Sequence, residues 1–174
     1  MRIAGRGLLK GAKPVTFSFN GRHLMGVEGD TLASALLANR QHLVGRSFKY
    51  HRPRGILTAG SEEPSALVTI GSGAQQDPNV RATQQEVFDG LEARSQNCWP
   101  SVDYDVQAVN DFAAPFLGAG FYYKTFMWPS AFWEKLYEPI IRRAAGLGTL
   151  SGQPDPDTNE KAYAFCDLLV IGSG

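Results

Sequence analysis

The sequence predicts an α+β fold that opens on a β-grasp sheet, and three observations predict it. Val15–Asn20 (VTFSFN) alternates apolar and polar residues, is rich in β-branched and aromatic types, and ends in Asn20-Gly21. That dipeptide suits a two-residue hairpin, because a type I′ turn needs positive φ at both central positions. A helical segment follows the returning strand, and a long glycine- and proline-bearing loop then leads to a further apolar run. Hairpin, helix, long loop and strand, in that order, is the β-grasp arrangement.

The elements are justified in turn. Arg22–Val27 is the return strand. Gly29-Asp30-Thr31 supplies an N-cap, and Thr31–Arg40 reads as a helix with Leu32, Ala35, Leu36 and Asn39 on one face. Gln41–Pro64 holds Gly45, Pro53, Gly55 and Gly60 and is expected to be loop. Ala66–Ile70 (ALVTI) is a third strand, Gly71–Asn79 a turn-rich connection, and Val87–Leu91 a short strand. From Trp99 the texture changes: of 19 aromatic residues, 12 fall between Trp99 and Tyr137. Ser130 is an expected N-cap, and Trp133, Leu136, Tyr137, Ile140, Ile141 and Ala144 keep helical spacing. Arg142 and Arg143 favour the negative helix end and Gly146 can close it, while Pro139 should kink or split the helix. Ser151–Asn159 (SGQPDPDTN) is a linker.

The end of the chain carries a second signal. Asp167–Ile171 has the apolar run of a buried parallel strand, and Gly172-Ser173-Gly174 matches the first two glycines of G-x-G-x-x-G. In that turn the first glycine permits a tight bend, and the second lets backbone approach a pyrophosphate resting on the next helix. Gly172 and Gly174 are therefore the candidate cofactor-binding residues. The run is expected to be the first strand of a Rossmann-type domain, and the chain a truncated piece of a larger protein. The simpler alternative is the glycine end of an edge strand.

Composition narrows the function classes. The 174 residues carry 17 basic and 17 acidic side chains, and 43% of the residues are hydrophobic. Zero formal charge disfavours nucleic acid and anionic membrane as partners, and no apolar run approaches the roughly 20 residues of a membrane span. The first fourteen residues lack the apolar core of a secretory signal, and Cys98 and Cys166 have no partner motif. A disulfide framework is excluded and a reducing cytoplasm is expected.

Arg54–Val68 (RGILTAGSEEPSALV) lies where plant-type [2Fe–2S] ferredoxins, themselves β-grasp proteins, carry C-x4-C-x2-C. At that spacing stand Thr58, Glu63 and Ala66. None is a thiolate, and Cys98 is the only cysteine before the terminal strand. The scaffold resembles a ferredoxin while the ligand set is absent, so no iron–sulfur cluster and no other metal is expected.

Four longer strings extend the resemblance: GRSFKYHRPRGI (Gly45–Ile56), AGFYYKTFMWP (Ala119–Pro129), FWEKLYEPIIRRAAGLG (Phe132–Gly148) and CDLLVIGSG (Cys166–Gly174). From about Pro14 onward the chain resembles the N-terminal portion of the alpha-subunit family of heterotetrameric sarcosine oxidases. The resemblance implies a subunit carrying NAD, an assembled enzyme that also holds FAD and FMN, and beta, gamma and delta subunits as partners. It implies oxidation of sarcosine to glycine, with formaldehyde or, given tetrahydrofolate, methylenetetrahydrofolate, and with hydrogen peroxide. The expected organisation is a ferredoxin-like domain at 1–97, an aromatic-rich connecting segment with a helix at 98–150, and a linker plus the first dinucleotide-domain strand at 151–174. This piece is expected to serve as scaffold and subunit contact. The alternatives are a non-enzymatic interaction module with a degenerate ferredoxin fold, or a related amine or opine oxidase subunit.

Other candidates are weighed on their residues. Arg46, Lys49, His51, Arg52 and Arg54, with Phe48 and Tyr50 between them, could grip a phosphate, meet nucleic acid, pair with acids such as Glu62 and Glu63, or face a partner subunit. His23, His42 and His51 lack metal spacing and read as surface or turn residues, and Asp103 and Asp105 read as solvated. The aromatic block could line a pocket, or pack on the rest of a larger subunit. No residue is assigned a catalytic role.

Overall fold

Alternation in the first thirty residues becomes an antiparallel hairpin, β1 (Pro14–Phe19) and β2 (Arg22–Val27), in register from Pro14 opposite Val27 to Phe19 opposite Arg22. Asn20 and Gly21 take φ of 51° and 77°, the two positive values the turn requires. Val15, Phe17 and Phe19 point inward. Thr31 caps α1 (Leu32–Ala38), its hydroxyl accepting from Ser34 N at 3.2 Å. Leu32, Ala33, Ala35 and Leu36 are buried against the strands in one core, each leucine contributing about 1.5–3 kcal/mol. Asn39 ends the helix and donates to the Met25 and Ala35 carbonyls. The computed structural model describes residues 2–3, 6–115, 128–144, 146–158 and 160–170.

The main sheet has the order β2-β1-β7-β5-β6, with β5 at Leu67–Ile70, β6 at Asp77–Arg81 and β7 at Leu91–Ser95. β7 runs parallel to β1 and antiparallel to β5, so the predicted β-grasp order is present. Three local expectations are corrected. The strand expected at Val87–Leu91 lies at Leu91–Ser95, because Asp89 and Gly90 make a turn: Gly90 has φ 84° and Leu91 N donates to Phe88 O at 3.1 Å. The sequence LEARS hides its strand character in two charges, yet Leu91 and Ala93 are buried while Glu92 and Arg94 face out. The connection expected at Gly71–Asn79 includes the start of β6, whose Pro78 is tolerated because β6 is an edge strand. The long loop contains a small hairpin of β3 (Gly45–Arg46) and β4 (Pro53–Arg54).

Beyond the sheet, Val106–Ala113 forms a 3-10 helix capped by Asp105. Ser130–Phe132 makes a 3-10 turn, Trp133–Tyr137 a wide π turn, and α2 runs over Glu138–Ala144. The predicted helix is thus split, with Pro139 in the first turn of α2, where its missing N–H costs least. Pro129 rather than Ser130 occupies the capping position. The strand expected at Asp167–Ile171 does not form over its described part. Residues 167–170 join no strand, and Leu168, Leu169 and Val170 are exposed. A parallel strand is stable only between neighbours that bury it, and among the described residues none pairs with it. No described helix is long and apolar enough to cross a membrane.

Candidate functional site

The loop from β4 to β5 is built around one side chain. Gly55 presses so close to its neighbour that an added Cβ would lie 2.5 Å from the His42 carbonyl oxygen. Thr83 Oγ1 donates to the Gly60 carbonyl at 2.7 Å, and Ala82 N to the Ala66 carbonyl at 2.9 Å. Within this frame Glu63 turns inward and is 1% exposed. Its Oε2 accepts from Leu57 N at 2.8 Å, Thr58 N at 2.6 Å and the Thr58 hydroxyl at 3.2 Å. Its Oε1 accepts from Ser65 N at 2.8 Å and Ala66 N at 3.2 Å. Burial alone would raise the carboxyl pKa, but the N–H bonds from Thr58, Ser65 and Leu57 and the Thr58 hydroxyl outweigh it and hold the pKa below the ordinary glutamate value.

The three residues at the ferredoxin spacing therefore meet at one place, and they do not fit an iron–sulfur cluster. Thr58 offers a hydroxyl already donated to Glu63, Ala66 offers a methyl, and Glu63 is committed to five donors. Cys98 is half-buried, and burial, with Asp105 adding to it, pushes its thiol pKa up, away from the thiolate a cluster needs. Among the described residues no group of three or more His, Cys, Asp or Glu could hold a metal.

The basic cluster is a clamp. Arg46 sends Nε and Nη2 to the Val102 carbonyl at 2.8 and 2.6 Å, Nη2 also to Asp103 O at 3.1 Å, and Nη1 to His51 O at 3.1 Å. His51 Nδ1 lies 2.6 Å from Asp105 Oδ2, and both side chains are buried. Asp105 Oδ1 meanwhile accepts from Trp99 N and Gln107 N at 3.1 and 3.2 Å. Arg52 Nε donates to Asp111 at 2.8 Å, which raises the guanidinium pKa further, and the group stacks 4.7 Å from the Tyr50 ring centre. Asn97 Nδ2 donates to the Arg46 and Ser47 carbonyls, each at 3.1 Å. The β3–β4 hairpin thus holds segment 97–111 against the sheet.

This arrangement corrects three sequence expectations. His51 is a turn residue, with φ 52°, but is buried rather than at the surface. Asp105 is a buried cap and partner rather than a solvated acid, while Asp103 is exposed as expected. His51 and Arg52 pair with Asp105 and Asp111 rather than with Glu62 or Glu63, because Glu63 is spent on backbone amides. Arg54 is exposed and lines a cleft of about 330 Å³ with Phe48, Leu57, Pro64, Leu67 and Asn97. Of the aromatic block, Trp99, Trp128, Phe132 and Trp133 are exposed, whereas 116–127 lie outside the described residues. Gly172 and Gly174 also lie outside them. Sequence reasoning missed the inward turn of Glu63 and the His51–Asp105 pair. The one available signal for Glu63 was an acid at the middle cluster position.

The model of the family described as "2Fe-2S iron-sulfur cluster binding domain" matches residues 12–98, half of the chain. The chain belongs to this family. It is a member whose three cluster positions carry no sulfur. The chain is also 66% identical over 173 residues to "Sarcosine oxidase subunit alpha" of Rhizobium meliloti (strain 1021), an alignment covering 99% of this chain and 18% of that protein. It is 46% identical over 163 residues to the protein of the same description from Corynebacterium sp. (strain U-96), covering 92% of this chain and 12% of that one. The chain thus spans less than a fifth of the length of the curated relatives it matches. Among solved structures, that of L-proline dehydrogenase from P.horikoshii is similar at 29% identity and a TM-score of 0.42, over 53% of this chain and 17% of that one.

Proposed function

We propose that this chain is the amino-terminal part of the alpha subunit of a heterotetrameric sarcosine oxidase, and that it serves there as scaffold and subunit contact. The observation that carries the reading is 66% identity over 99% of the chain to a sarcosine oxidase alpha subunit. In the assembled enzyme, sarcosine is oxidised to glycine, its methyl group leaves as formaldehyde or passes to tetrahydrofolate as methylene, and dioxygen is reduced to hydrogen peroxide. The partners on this reading are beta, gamma and delta subunits, the cofactors NAD, FAD and FMN, and the compartment the cytoplasm. The two free cysteines agree with that compartment.

The division of the chain follows the same reading: residues 1–97 as ferredoxin-like domain, 98–150 as connecting segment, and 151–174 as linker and start of a dinucleotide-binding domain. Gly172 and Gly174 would open the pyrophosphate turn. That turn works with a helix N-terminus and an acidic ribose ligand, neither of which follows within these 174 residues. The chain by itself should therefore bind NAD weakly or not at all and produce no peroxide. The complete set of subunits should produce peroxide from sarcosine. Calorimetry with NAD and a peroxide assay check this, and micromolar NAD affinity or peroxide from the chain alone would refute the division of labour.

A further inference from the structure

The family description names an iron–sulfur cluster, and the donor set here does not suit one. What the loop does contain is four backbone N–H groups and one hydroxyl converging on a single buried point. Backbone N–H groups arranged in a concavity form an anion site. A carboxylate, with two oxygens and about four lone-pair positions, is matched to that number of donors. Neither side of the arrangement is stable alone. A buried carboxylate without partners costs many kcal/mol, and each buried N–H left unpaired costs about 1–3 kcal/mol.

We propose that loop 57–66 is an anion-binding cradle whose resident ligand is the chain's own Glu63 carboxylate, standing where other members of the family hold their cofactor. The chemical class the cradle selects is a small carboxylate or similar planar oxyanion. Among the described residues no cation pairs with Glu63, so the amide dipoles balance its charge. The cradle is also held from outside. Arg54 is tied to Val44, Gly60 to Thr83, and Ala66 to Ala82. These contacts do not involve the Glu63 side chain, so they keep the frame of the loop when it is shortened, while the donors it leaves unpaired lower stability until another anion takes them up. The inference is independent of the sarcosine oxidase reading, since it rests on the loop alone.

Thermal unfolding of Glu63→Ala and Glu63→Gln, with and without formate, tests it. Glu63→Ala should melt lower than the wild-type protein. Formate should restore it with a saturating response, while equal chloride does not, and the wild-type protein should show no such gain. Glu63→Gln should fall between the two, because an amide offers one acceptor oxygen and turns an NH2 toward N–H donors. Should Glu63→Ala fail to fold, amide exchange in Glu63→Gln decides: residues 57, 58, 65 and 66 should exchange at least tenfold faster than in wild type, with exchange in α1 unchanged. A Glu63→Gln protein as stable and as protected as wild type overturns the proposal. So does a Glu63→Ala protein indifferent to formate, or stoichiometric iron bound by the wild-type loop after anaerobic reconstitution.

Discussion

At the scale of single residues, Glu63 is a buried polar group fully supplied with partners, whereas His51 is paired only at Nδ1 and its buried Nε2 has no hydrogen-bond partner among the described residues. Glu63 is held by N–H donors from both sides of its own loop, and His51 by a carboxylate 54 residues away. The first arrangement has a pH signature. The Glu63 pKa is depressed in the folded state, so the unfolded chain takes up its proton first as pH falls. The stability it contributes is complete above the unfolded glutamate value and is lost as pH falls through the lower folded value. Acid titration followed by circular dichroism should show this loss in the wild-type protein and a reduced acid dependence in Glu63→Gln. Equal acid sensitivity of the two would remove Glu63 from the account.

At the scale of elements, close approach matters more than propensity. The return of the chain past His42 into the cradle leaves no room at Gly55, where a Cβ would meet a carbonyl oxygen rather than a yielding side-chain end. Gly55→Ala should destabilise the protein by about 1–3 kcal/mol, read from a denaturant midpoint, because backbone must shift. A midpoint equal to wild type would mean that the loop has slack there. The helix beyond the sheet behaves differently. Val106, Val109 and Phe112 follow one another at three-residue spacing on the 3-10 helix and are all exposed. With three residues per turn they eclipse into one apolar stripe.

At the scale of the whole molecule, the apolar surface is unevenly covered. The sheet and α1 enclose a closed core, whereas Trp128, Phe112, Tyr163 and Phe165 are each more than 80% exposed. Exposed rings in that number mark a surface that another surface covers. The chain on its own is therefore expected to self-associate, with light scattering that rises steeply with concentration. In the multi-subunit assembly proposed above, dye binding to these rings should be lost. A chain that stays monomeric across a hundredfold concentration range would show that these rings need no cover. Zero formal charge offers no repulsion to oppose the association.

Much of this was legible in the chain because its causes are local. Asn20-Gly21 dictates the hairpin through its own φ requirements, Thr31 caps α1 through its own hydroxyl, and Pro139 divides the late helix through its missing N–H. Likewise, Thr58 and Ala66 reveal the absent thiolates by identity alone. Tertiary structure decided what depends on residues far apart. LEARS carries two charges in five residues and becomes a central strand only because β1 and β5 close on either side of it. The basic hairpin reads the same whether it faces phosphate or protein, until segment 97–111 folds back and places Asp105 against His51 and two carbonyls against Arg46. Glu63 differs from Glu62 in sequence only by standing at the middle cluster position, which does not say which way either side chain turns. Only one of them faces the interior, where burial makes a carboxylate unstable unless the loop's own amides turn to meet it.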